Sequence, residues 1–203
     1  MNCNLFCLLK FFRFDLYMVK FVRLVMFVLC LFWTTHSYGQ KGKYLDVDTT
    51  KYIVWDEDRP ITWDDYPILG EAFEFPQALT AVIHSVRGSI SKGKPKFEVY
   101  VLFKREDSWT TDRIDAALFA HEKLHFDIAE MYGRMVRKQI AALGKQGVKA
   151  LSEYRKSIKY LLAEFKKKSF EYDEETNHGM TDDEQARWQN FVSSEMQRLH
   201  KYK

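Results

Sequence analysis

The stretch that decides the reading is DRIDAALFAHEKLHFDIAEMYGRMVRKQIAAL, Asp112 to Leu143. On a 3.6-residue wheel Ile114, Leu118, His121, His125, Ile128 and Tyr132 fall on one stripe, at intervals of four, three, four, three and four. Ala117 and Leu124 widen it. The spacing predicts one long helix over this span. Thr110 or Thr111 is the expected N-cap, Asp112 and Asp115 are early acids, and Gly144 and Gly147 end it. Both histidines then lie on the core-facing side, one turn apart.

Four residues advance a helix by about 6 Å and turn it about 40° past a full revolution. Two imidazoles at that spacing can reach one ion at about 2.0–2.1 Å each. Glu122 follows His121 directly and flanks such an ion without having to bind it. It is the expected general base, taking a proton from water. This is the pattern H-E-x-x-H, two ligands and one base. With 6 His and 14 Glu in 203 residues, composition alone predicts roughly 0.01 occurrences by chance. A catalytic zinc ion (Zn²⁺) takes three protein ligands and keeps one open position. His84, His178 and His200 are the remaining imidazoles after residue 40. His84 lies mid-strand and His200 near the end. His178 follows the second helix, where Asn177 to Gly179 break the helical pattern and make a loop, and is the expected third ligand. Glu174, Glu175, Asp127 and Glu130 are the rival carboxylates, and Asp127 and Glu130 are alternatively partners that orient the imidazoles. Tyr172, near His178, is a candidate donor to the oxyanion of a tetrahedral intermediate.

Around this helix the chain divides into a strand-rich front and a helical back. KYIVWD (51–56) and RPITWDDY (59–66) are short strand candidates. QALTAVIHSVRGSI (77–90) and KFEVYVLFKRE (96–106) are longer ones, joined by the turn SKGKP. Phe97, Val99, Val101 and Phe103 alternate onto one face. Behind the first helix a second is expected from about Val148 to Phe170. A third begins at Thr181, where Thr181-Asp182-Asp183-Glu184 reads as a capping box. The fold expected is α+β, a small N-terminal antiparallel sheet followed by three helices. The 77–106 hairpin is placed to align an extended peptide substrate by strand addition.

Residues 1–39 read as a leader. Lys20 and Arg23 precede an apolar run from Leu24 to Trp33, and small residues at Ser37 and Gly39 precede Gln40, the pattern of a signal peptide cleaved between Gly39 and Gln40. Translation is expected to start at Met18. The run is about ten residues, short of the roughly 20 that span a bilayer, so membrane attachment arises only if the leader stays uncleaved. All three cysteines, Cys3, Cys7 and Cys30, fall in the leader, so the exported chain would rely on its core or a metal rather than on disulfides. Of 31 basic and 28 acidic residues, Lys10, Arg13, Lys20, Arg23 and Asp15 precede residue 40, leaving 27 of each sign. A neutral chain argues against nucleic acid as a partner. Residues 40–203 are expected to form one domain, periplasmic or secreted.

Four stretches together resemble a family of exported bacterial proteins described as zinc-dependent proteases and long classed as a domain of unknown function. They are RPITWDDY, DSWT (107–110), AHEKLHFDIAE (120–130), and YDEETNHG (172–179) followed by Gln185 and Trp188. The resemblance implies a zincin-like metallopeptidase acting on peptide or protein. In it His121, His125 and His178 hold zinc and Glu122 is the base. A non-catalytic zinc-binding module and a cell-wall amidase are the alternatives the sequence leaves open.

Overall fold

Val82–Ser91 (β4) and Lys94–Lys104 (β5) form an antiparallel hairpin. Its tip is closed by Lys92 and Gly93 at φ +50° and +73°, the turn geometry whose twist matches the strands. Tyr52–Val54 (β1) pairs with the other edge of β5, giving the order β1-β5-β4. The expected alternation holds: Val99, Val101 and Phe103 are buried on one face. This computed structural model describes residues 47–66, 68–69 and 77–203. The leader, Met18, the Gly39–Gln40 cleavage point and the three cysteines lie outside the described residues.

A second small sheet consists of Ile68–Leu69 (β2), Ala78–Leu79 (β3) and Trp109–Thr110 (β6), in the order β2-β6-β3. The strand expected over 77–90 is therefore split. Thr80 and Ala81 carry the chain from one sheet to the other, held by Thr80 Oγ1 to Tyr66 Oη at 2.7 Å and Ala81 N to Ser108 Oγ at 3.0 Å. RPITWDDY is a 3₁₀ turn at Trp63–Asp65 rather than a strand. Asp65 bends it by accepting from Thr62 N at 2.9 Å, while Arg59 and Arg105 pair with the same carboxylate.

Three helices follow: α1 (Ala116–Lys145), α2 (Leu151–Thr176) and α3 (Asp182–Arg198). The fold is α+β, a small antiparallel sheet followed by three helices. Three local expectations are corrected. Asp115 caps α1, taking Ala117 N at 2.8 Å and Leu118 N at 3.0 Å. Thr110 is committed to β6 and Thr111 to the backbone of Gln77. Ile114 consequently precedes the helix and is 93% exposed rather than on its core stripe. Thr181 does sit at the N-cap of α3, but its side chain makes no capping bond.

α1 is the central layer. Phe126 and Ala129 face the sheet residues Ile53, Val101 and Phe103. Leu124, Ile128 and Met131 pack against Tyr172 of α2 and Trp188 and Val192 of α3. Each of the larger side chains, Leu124, Phe126, Ile128 and Met131, contributes about 1.5–3 kcal/mol when fully buried, so α1 is fixed from both sides. Gly133 permits the closest approach: a Cβ there would stand 2.5 Å from Val101 Cγ2. Glu130 is fully buried in an ion pair with Arg134 (3.0 Å) and Arg137 (2.9 Å). The two guanidinium groups also bond Met196 O and Tyr202 O, tying the C-terminus to α1. Among the described residues no helix is long and apolar enough to cross a membrane.

Candidate metal centre

The middle of α1 and the last turns of α2 meet at one point. His121 Nε2 lies 3.2 Å from His125 Nε2 and 3.2 Å from Asp173 Oδ1, and His125 Nε2 lies 2.9 Å from the same oxygen. These three are the group among the described residues whose ligand atoms all fall within 4.8 Å of one another. For a tetrahedral ion with bonds of about 2.0–2.1 Å, adjacent ligand atoms stand roughly 3.3 Å apart. The observed separations fit that edge length, and two imidazoles with one carboxylate are a donor set suited to zinc.

Helical spacing brings Asp173 there. α2 continues past Phe170 to Thr176, so Phe165, Ser169, Tyr172 and Thr176 extend its inward face at intervals of four, three and four, with Asp173 beside them. Ser169 Oγ sits 3.2 Å from His125 Nδ1. Burial pushes the Asp173 carboxyl up, but the hydrogen bonds and charges of His121 and His125 outweigh it and hold the group well below the usual carboxylate range.

Glu122 is buried next to this group and lines the same cleft, which has a volume of about 550 Å³. Its Oε2 has no hydrogen-bond partner among the described residues. An unpartnered buried carboxylate oxygen is costly, and this one belongs to a residue that lines the same cleft as the three ligand side chains. Gln77 to Thr80, the outer strand of the small sheet, line the cleft as well. The part of the 77–106 segment at the cleft is thus its first few residues.

His178 lies at the cleft, exposed, with Nδ1 3.9 Å from Asp173 Oδ1. It belongs to a turn in which Asn177, His178 and Gly179 all take positive φ, at +48°, +56° and +84°. That turn ends α2 through His178 N to Asp173 O at 2.8 Å and Thr181 N to Thr176 O at 3.0 Å. The third place in the tight group is held by Asp173, which the sequence reading did not single out, and not by His178.

The oxyanion role expected for Tyr172 is corrected. Its side chain is fully buried, its ring stacks on His121 at 4.6 Å, and its hydroxyl donates to Gln185 Oε1 at 2.8 Å, with His121 O at 3.1 Å as a second acceptor. Burial raises its pKa far above the ordinary tyrosine value. It orders the core behind the histidines and does not reach the cleft. The rival carboxylates are engaged elsewhere: Asp127 with Trp55 Nε1 and Lys123, Glu175 with Trp188 Nε1, and Glu130 with its two arginines. Glu174 is exposed on α2. His84 donates from Nε2 to Ala129 O at 2.8 Å, and burial pushes its pKa down to about 4.

Residues 101–179 match the family described as "Bacterial protein of unknown function (DUF922)". The matched stretch runs from β5 through α1 and α2 to Gly179, and so contains all the residues of the group. No curated protein matches the chain, and no solved structure does.

Proposed function

We propose that this chain is an exported zinc-dependent hydrolase of the metallopeptidase type, acting on peptide or protein. The observation that carries the reading is the convergence of His121 Nε2, His125 Nε2 and Asp173 Oδ1 at separations of 2.9 to 3.2 Å. In this reading those three side chains hold the ion, and the third ligand is Asp173 rather than His178. Bound there, zinc supplies Lewis acidity to a scissile carbonyl and acidifies a coordinated water. Glu122 accepts the proton of the attacking water at its carboxylate and returns it to the leaving amine. Three protein ligands beside an open cleft favour a catalytic over a structural site, which closes with four. His178 stands at the cleft mouth, where substrate would enter. The leader pattern of residues 1–39 supports export.

The test uses the full chain. Wild type should retain zinc and hydrolyse casein or cell-wall peptides, and Glu122→Gln should keep the metal while losing about 100-fold or more in rate. Zinc-loaded wild type that cuts neither substrate overturns the hydrolase reading.

A further inference from the structure

Gln185, on the first turn of α3, is buried behind the metal group. Its Oε1 lies 3.3 Å from His121 Nδ1 and accepts the Tyr172 hydroxyl at 2.8 Å. Its Nε2 is buried without a partner among the described residues. Reversing the amide would only exchange an orphaned nitrogen for an orphaned oxygen, so burial alone does not choose between the two orientations. The orientation takes effect at His121. An oxygen facing Nδ1 requires the ring proton to be there, which leaves a lone pair on Nε2. The reverse amide orientation would place N–H against Nδ1, drive the ring proton to Nε2, and block that atom as a ligand.

We infer that Gln185, steadied by Tyr172, is a positioning residue that holds His121 in the Nδ1–H tautomer and so presents its Nε2 lone pair to the ion. The inference rests on the metal reading above. It adds a role for a residue 64 positions from His121 that touches neither the ion nor the cleft. In metal sites such outer acceptors typically set affinity by about 10–100-fold.

Zinc affinity is measured by chelator competition on the full chain for wild type, Gln185→Glu, Gln185→Leu and Tyr172→Phe, alongside unfolding by urea without metal. Glutamate is a pure acceptor and keeps the proton on Nδ1. Leucine accepts nothing. The expected affinity order is Gln185→Glu at or above wild type, Tyr172→Phe a few-fold below, and Gln185→Leu about 10–100-fold below. The stability order of the two Gln185 variants should be the reverse, because a buried carboxylate is costlier than an apolar side chain. A packing role would make affinity follow stability instead. The inference is overturned if Gln185→Leu binds zinc within about two-fold of wild type, or if Gln185→Glu loses affinity along with it. Wild type that binds no zinc overturns the metal reading itself and the inference with it. If Gln185→Leu fails to fold, Gln185→Glu and Tyr172→Phe against wild type still decide.

Discussion

A Cβ added to Gly179 would stand 2.8 Å from the Cβ of His121 and 2.9 Å from its Cγ. The turn after α2 therefore lies directly against the face of α1 that carries His121, and only glycine fits between them. Its φ of +84° sets the same requirement independently. Gly179→Ala should destabilise the fold by about 1–3 kcal/mol and displace the His121 ring, lowering zinc affinity as well. Urea unfolding and zinc titration of the same preparation check both. An alanine variant equal to wild type in each would show that the turn can move away freely.

Asp173 and His178 make separate predictions. Asp173→Asn preserves shape but removes the charge that faces both histidines. Zinc affinity should fall by more than the roughly 100-fold seen when an outer partner is lost. His178→Ala, at the cleft mouth, should cost less than about 10-fold in affinity. The reverse ranking would make His178 the ligand and Asp173 its neighbour.

His84 gives a pH signature away from the metal group. Its folded pKa of about 4 lies below the ordinary value of 6.5 because burial disfavours the charged ring. The unfolded chain then binds the proton more readily, so stability rises with pH across about 4 to 6.5 and is lost as pH falls through that window. Between pH 7 and pH 5 the loss should approach about 2 kcal/mol. His84→Gln keeps a donor toward Ala129 O but does not titrate, and its urea midpoint should fall less over the same interval. Parallel curves for the two proteins would exclude His84 as the source.

Glu130 predicts the largest stability effect in the helical layer. Glu130→Ala leaves the fully buried Arg134 without its carboxylate, and should cost about 3–5 kcal/mol in chemical unfolding. A cost below about 1 kcal/mol would mean that Arg134 finds water or another acceptor.

Sequence pattern alone put His121 and His125 on the inner face of one long helix, with Glu122 flanking them, because helical periodicity is a local property of the chain. It also determined the hairpin, through alternation and a turn rich in Gly and Pro. It placed Trp63–Asp65 and Tyr172–Thr176 less well. Asp65 makes the first a turn through bonds to Arg59 and to the distant Arg105, and tertiary packing extends α2 beyond Phe170. The extra turns put Asp173 beside two histidines 48 and 52 residues earlier, sealed Tyr172 in the core, and left His178 at the rim. Which acid meets the histidines depends on how far α2 runs and how it crosses α1, and no local pattern encodes that crossing. Tertiary structure likewise paired Glu130 with arginines and gave Gln185 a place behind His121, because burial and partner choice are set only when separate elements pack.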